Sequence, residues 1–91
     1  EILKKLLQEE DKNIRVQAAL VLALYGKDKS ATLVLKEAYK EVDPNIKMSI
    51  LGAMGQIGDE SSIPFLLEIL EEPHQILKIL AAASLIQAIY G

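Results

Sequence analysis

An internal repeat constrains this chain more than any other feature of its sequence. Residues 11–15 (DKNIR) are similar to residues 43–47 (DPNIK), which lie 32 residues later. A third copy lies 31 residues further on, where residues 77–82 (LKILAA) match residues 14–19 (IRVQAA). Self-similarity at this period is typical of stacked repeats, because one unit cannot bury its apolar face alone. The sequence therefore predicts a single repeat array, with repeats over about residues 1–28, 29–60 and 61–91.

Each repeat has the pattern of two helices. Apolar residues recur at i, i+3 and i+4 spacing, and no segment shows the strict alternation of a β-strand. First helices are predicted over residues 2–9, 32–41 and 63–71, and second helices over residues 12–25, 44–57 and 73–90. The predicted fold class is all-α.

Residues suited to helix ends flank these segments. Short oxygen acceptors that can cap a helix N-terminus occur at Asp11, Ser30, Asp43 and Ser62. Prolines that fit a first helical turn occur at Pro44, Pro64 and Pro73. Each repeat closes on a glycine suited to the left-handed position after a helix, at Gly26, Gly58 and Gly91. Gly55 is predicted to mark a close approach between helices, because glycine inside a helix costs about 1 kcal/mol relative to alanine.

Composition narrows the function classes. The chain has 10 Lys+Arg against 13 Asp+Glu, and its basic residues form no patch. Nucleic-acid binders gain much of their affinity from clustered Lys and Arg, so we expect no nucleic-acid partner. The sequence contains no cysteine, which excludes disulfides, thiolate zinc sites and cysteine nucleophiles. No apolar run approaches the roughly 18 residues that span a bilayer, and no signal peptide is visible, so we expect a cytoplasmic protein with no membrane contact.

Three sets of aligned residues carry a resemblance to a known repeat family. Its Val-Arg and Ala-Ala positions are taken by Ile14-Arg15 with Ala18-Ala19, by Ile46-Lys47, and by Leu77-Lys78 with Ala81-Ala82. Residues 55–59 (GQIGD) match its Gly-x-Ile-Gly-Asp ending, and Pro64 matches its first-helix proline; Leu33 and Ile50-Leu51 depart from the pattern. The chain thus resembles the HEAT-repeat family, in particular the short bacterial and archaeal HEAT-like repeats. The resemblance implies a right-handed α-solenoid (an alpha-alpha superhelix) of three HEAT-like helical pairs, within a longer solenoid.

The resemblance also implies a charged ladder that links neighbouring repeats. It pairs Glu9 with Arg15, Glu41 with Lys47, and Glu72 with Lys78, each pair six residues apart. Asp11 and Asp43 compete for the acidic role in the first two copies. The functional alternative is that the three cations form a row that binds an anion. Exposed charges are usually solvated or weakly paired, which argues against this alternative.

One face of the second helices varies between copies while the positions beside it stay apolar. This variable stripe contains Gln17, Leu20 and Leu24 in the first copy, Ser49, Gly52 and Gln56 in the second, and Leu80, Ala83 and Gln87 in the third. Second helices line the concave surface of HEAT-like solenoids, so the resemblance makes the variable stripe the candidate partner-binding groove. Its Leu, Ala, Ser and Gln residues suit an extended peptide or a partner helix. The alternative is that its leucines pack against the core.

The last helix is apolar on all sides. Between Ile76 and Tyr90 the only polar residues are Lys78, Ser84 and Gln87. A helix of this kind is typically buried. We therefore expect a following repeat or a second copy of the chain to cover it, with self-association through residues 76–90.

Groups able to do chemistry are sparse. His74 is the only histidine, with Glu71 and Glu72 beside it, and no serine has a base in the pattern that activates a nucleophile. We expect a protein-interaction scaffold that binds a protein or peptide, without catalysis, cofactor or metal. Two alternatives stay open: a bilin-lyase-like protein or chaperone for chromophore attachment, which the resemblance brings in, and a purely structural spacer. A DNA-glycosylase-like function would need a basic groove, and the pI near 5.1 opposes it.

Overall fold

The computed structural model describes residues 5–26 and 28–90. From residue 12 onward the chain forms five α-helices: α1 (Lys12–Gly26), α2 (Ser30–Tyr39), α3 (Pro44–Ile57), α4 (Ile63–Ile69) and α5 (Gln75–Tyr90). A short 3-10 turn, Glu60–Ser62, leads into α4. No strand occurs in the described residues. The prediction of an all-α fold is confirmed.

The observed bounds of the helices agree best with the predicted bounds where the capping residues were identified correctly. Helix α3 has both predicted bounds, and α1 differs from its prediction by one residue. Of the predicted helix over residues 2–9, only residues 5–9 are described. Lys5 and Leu6 are helical, and a turn follows in which Gln8 N–H donates to Lys5 O and Glu9 N–H to Leu6 O. Gly91 lies outside the described residues.

Asp43 and Gly58 delimit α3 as predicted. The Asp43 carboxylate accepts a 3.0 Å hydrogen bond from the Ile46 N–H, and Pro44 occupies the first turn. Gly58 adopts φ 67° and ψ 29°, and its N–H donates to the Met54 carbonyl. A left-handed residue at this position satisfies a carbonyl that the end of the helix leaves free, and glycine adopts it without a steric penalty.

Other predicted caps are wrong, because a nearby acceptor takes the role. Ser30 is the first residue of α2, and both its N–H and its hydroxyl donate to the Asp28 carboxylate. Ser62 makes no capping bond to α4; its hydroxyl donates to the Asp59 carbonyl instead. Gly26 ends α1 without a left-handed conformation.

The start of α5 also differs from its prediction. The helix begins at Gln75, so Pro73 precedes it rather than occupying its first turn. The Leu77 N–H donates to Nδ1 of His74, at 3.4 Å. The imidazole therefore takes the place that a serine or aspartate acceptor has at other helix starts.

The helices form two layers. Helices α1, α3 and α5 lie side by side, with α3 packed against both of the others; α2 packs against α1 and α3, and α4 against α5. Their inner sides merge into one hydrophobic cluster with fully buried residues in every helix, including Ala19, Leu35, Leu51, Leu66 and Ala81. Because the cluster is continuous, no repeat has a core of its own.

Helices α3 and α5 approach most closely at Gly55. A Cβ atom at this residue would lie 3.3 Å from the Cα of Ser84 and would collide with the side-chain oxygen of Gln87. Ser84 is itself buried, and its hydroxyl donates a 2.5 Å hydrogen bond to the Leu51 carbonyl. The prediction that Gly55 allows a close approach is confirmed.

Candidate partner-binding surface

The variable stripe is fully exposed on α3. Ser49, Gly52 and Gln56 lie along one side of this helix, at spacings of three and four residues, and all three are exposed. Leu51 and Met54, on other sides of the helix, are buried against the neighbouring helices. Nothing lies within 4 Å of the position that a Cβ of Gly52 would take. The middle of the stripe is therefore an open and uncharged strip of helix surface.

On α1 the stripe is only partly available. Gln17 and Leu24 are exposed. Leu20 is 8% exposed and belongs to the hydrophobic cluster, so it is not a surface residue that a partner could contact. The reason is its position four residues after Val16 and three before Ala23, because these residues share one buried side of α1. Leu20 therefore packs in the core, as the alternative interpretation of the stripe leucines predicted.

On α5 the stripe merges into a larger apolar surface. Ala83 and Gln87 are exposed and Leu80 is half-buried. Helices α3 and α4 cover the side that carries Leu77, Ala81, Ser84 and Leu85, and the opposite side stays open. Its isoleucines, Ile76, Ile79, Ile86 and Ile89, are each more than half exposed. Nothing in the described residues covers these isoleucines, so the expected cover by a following repeat or a second copy stays a prediction.

The predicted charged ladder takes a different form in the structure. Arg15 reaches Glu9 through its backbone, since Nη1 donates to the carbonyl oxygens of Glu9 at 2.7 Å and Glu10 at 3.1 Å. Glu41 pairs with Lys12 of the first repeat, with 3.1 Å between Nζ and Oε1. The link between these repeats is thus made by a lysine that the pattern did not indicate.

Lys47, the second cation of the predicted ladder, lies over an aromatic ring. Its Nζ is 5.1 Å from the centroid of Tyr39. The edge of the Tyr39 ring meets Phe65 at a centroid distance of 5.2 Å and an interplanar angle of 90°. Burial, together with the negative charge of Glu72, raises the pKa of Tyr39 to about 12. Glu72 therefore acts on Tyr39, while its predicted partner Lys78 is half-buried in α5.

The turn before α4 holds one carboxylate with an altered pKa. Asp59 accepts a 3.0 Å hydrogen bond from the Ser61 N–H, and this bond lowers the pKa of its carboxyl group. The bond stabilises the 3-10 turn. It gives Asp59 a structural role.

A groove on the outer side of α1 was missed by the sequence analysis. It has a volume of about 350 Å³ and is almost entirely apolar, lined by Leu6, Asn13, Ile14, Gln17, Ala18 and Val21. The signal was present, because Ile14, Val21 and Tyr25 share a face of α1 at spacings of seven and four residues.

Neither metal ligands nor membrane spans are apparent in the part of the chain that is described. There, no three His, Asp or Glu side chains come together in a group that could hold a metal ion. Over the same residues, every helix is too short or too polar to cross a bilayer.

Comparison with known proteins identifies a repeat family. The family described as HEAT repeats matches residues 1–86, which is almost the whole chain. A search of curated proteins finds no match. The family match, the repeated sequence units and the paired, stacked helices show that this chain belongs to the HEAT-repeat family.

Proposed function

We propose that this chain is a protein-interaction scaffold that presents the exposed side of its second helices to an extended peptide or a partner helix. HEAT repeats are commonly scaffolds of this kind. In the proposal, the three repeats form a right-handed solenoid whose inner surface contains the variable stripe without Leu20. The proposal includes no catalytic step, and the only histidine serves as a helix cap.

The observation that carries the proposal is the open side of α3. Ser49 and Gln56 provide hydrogen-bonding groups there, and Gly52 between them leaves the backbone accessible. An extended peptide needs polar groups to satisfy its own backbone and space in which to lie, and this strip offers both. The absence of charge along the strip, with a net charge of −3 overall, favours a protein ligand over a nucleic acid.

The test uses a displayed library of random linear peptides, selected on the immobilised chain. Binding of enriched peptides is then measured by fluorescence anisotropy for the wild type and for Gly52→Glu. This substitution introduces a charge at a position where a side chain meets no other atom. We expect an affinity loss of at least about tenfold, because a charge at the centre of the strip must be desolvated by an uncharged ligand.

Two controls make this test specific. Gly52→Ala adds a small side chain without charge and is expected to lower affinity much less than Gly52→Glu. Leu67→Glu introduces the same charge at an exposed position of α4, in the other layer of helices. Failure to enrich any peptide, or equal affinity for wild type and Gly52→Glu, contradicts the proposal.

A further inference from the structure

Helix α3 uses two opposite sides to pack between its neighbours. Toward α5 it presents Leu51 and Gly55, which contact Ser84 through the 2.5 Å hydrogen bond and the close approach of the backbones. The opposite side carries Ala53 and Ile57, which are also buried, and α1 is the other second helix that packs against α3. We call the side of α3 with Leu51 and Gly55 its forward side and the side with Ala53 and Ile57 its backward side. Each interface between second helices then joins the forward side of one helix to the backward side of the next.

The repeat register shows that the forward side of α5 is open. The counterparts of Leu51 and Gly55, 31 residues along, are Ala82 and Ile86, and Ile79 lies on the same side of α5, seven residues before Ile86. Ile79 is 65% exposed and Ile86 is 59% exposed, whereas Gly55 is buried. The same side that α3 uses to bind α5 is thus present on α5, and within the described residues its two isoleucines are exposed.

The backward side of α1 is open in the same way. The counterparts of Ala53 and Ile57, 32 residues earlier, are Val21 and Tyr25. Val21 is 38% exposed and borders the apolar groove of about 350 Å³, and Tyr25 is almost fully exposed. Among the described residues, α1 and α5 therefore display the two halves of an interface that the chain forms internally between consecutive second helices.

Neither open side carries a charge that would repel a second copy. Residues 16–26 of α1 include no charged residue, and the only one in α5 is Lys78, which is half-buried. Both helices also expose apolar side chains whose burial is favourable: four isoleucines of α5 are more than half exposed, and Ile14, Val21 and Tyr25 are exposed on α1.

We propose that two copies of this chain associate head-to-tail, with the forward side of α5 in one copy against the backward side of α1 in the other. The interface continues the one already formed between α3 and α5. Because it joins two different surfaces, it leaves one free end of each kind, and further copies can add. This proposal is independent of peptide binding by the variable stripe.

The junction between copies differs from the internal ones in one respect. Ile86 stands where α1 has Ala23 and α3 has Gly55. Since a Cβ at Gly55 would already collide with Gln87, an isoleucine at the equivalent place holds the next helix farther away. Helix α5 of one copy and α1 of the next therefore lie farther apart than α3 and α5 within one chain. For this reason we expect the association to be reversible and to depend on concentration.

Sedimentation equilibrium of the wild-type chain is the first measurement. We expect the weight-average mass to rise with concentration beyond twice the 10.0 kDa of one chain. Two variants each block one side: Ile86→Glu on α5 and Val21→Glu on α1, both at exposed positions. Each variant alone is expected to remain monomeric, because head-to-tail association of identical chains needs both sides.

The mixture of the two variants distinguishes the arrangements. Ile86→Glu retains an intact α1 side and Val21→Glu an intact α5 side, so together they should form a one-to-one dimer that grows no further. If α5 pairs with α5, Val21→Glu dimerises by itself and mixing adds nothing, and the proposal is wrong. A wild type that stays monomeric at every concentration also overturns it.

Controls separate blocked association from loss of fold. Circular dichroism should show unchanged helix content in both variants, and Ile79→Glu and Ile14→Glu provide second substitutions on the same two sides. Leu33→Glu places the same charge at a 63% exposed position of α2 and should associate like the wild type.

Discussion

Gly55 and Ser84 are in such close contact that a Cβ atom at the glycine would lie 3.3 Å from the Cα of the serine. The Ser84 hydroxyl also donates to the carbonyl of Leu51, one helical turn before the glycine. The missing side chain and the short hydrogen bond therefore fix the distance between α3 and α5. The large apolar residues of α5 can then contribute to one cluster with α3 and α4.

Two glycines of α3 should respond oppositely to substitution. Gly55→Leu is expected to lower the free energy of unfolding by about 1–3 kcal/mol, because the side chain overpacks the contact with Ser84. Gly52→Ala should raise the free energy of unfolding by about 0.5–1 kcal/mol, since alanine favours the helix and its Cβ meets no atom within 4 Å. Urea denaturation followed by circular dichroism measures both. Similar shifts for the two variants contradict the close approach.

The glycines that close the first two repeats should also differ. Gly58 has φ 67°, so Gly58→Ala is expected to cost about 1 kcal/mol, and Gly58→Asn less, because asparagine tolerates the left-handed conformation better. Gly26 has no such conformation, and its Cβ position is free of contacts, so Gly26→Ala should not destabilise. Thermal unfolding of the three variants tests this, and an equal loss at both sites is the contrary result.

Local signals predicted the fold because they act over a few residues. The bounds of α3 follow from Asp43, Pro44 and Gly58, whose roles need only their own helix. The serine caps failed at Ser30 and Ser62, where aspartates two and three residues earlier supply the acceptor. A capping pattern does not say which of two neighbouring oxygens is used, because both are within reach of the backbone.

The candidate surface was less predictable, because exposure depends on neighbouring helices. A helical wheel placed Leu20 in the variable stripe with Gln17 and Leu24, but in the folded chain Leu20 is buried while Gln17 and Leu24 are exposed. The ladder similarly paired Glu41 with Lys47, six residues later in the sequence. The long side chain of Lys12 reaches that glutamate instead, across 29 positions of the sequence.

Arg15 should contribute more to stability than the ion pair between Lys12 and Glu41. The guanidinium donates to two carbonyls in the turn before α1, so Arg15→Ala is expected to cost about 1–2 kcal/mol. The lysine–glutamate pair is largely exposed, so Glu41→Gln should cost less than about 1 kcal/mol. Denaturation in low and high salt checks both, since only the Glu41 effect should diminish at high salt. A larger loss for Glu41→Gln contradicts the ranking.

Tyr39 lies in a setting that penalises its ionised form. The side chain is 2% exposed, and its hydroxyl has no hydrogen-bond partner. Its ring contacts Phe65 and faces the Lys47 ammonium. Burial and the charge of Glu72 raise the pKa of Tyr39 from its ordinary value of 10.0 to about 12. The folded state therefore holds the phenolic proton more tightly than the unfolded chain.

This difference predicts a loss of stability at alkaline pH that depends on one residue. Below pH 10 the phenol is neutral in both states and the stabilisation is fully present; it is lost as the pH rises from about 10 through about 12, because the unfolded chain ionises first. Tyr39→Phe should remove this part of the pH dependence and cost little at neutral pH, since the hydroxyl makes no hydrogen bond. Denaturation at a series of pH values measures it, with Tyr25→Phe, an exposed site, as the matched control. An alkaline loss that Tyr39→Phe leaves unchanged assigns the effect to other groups.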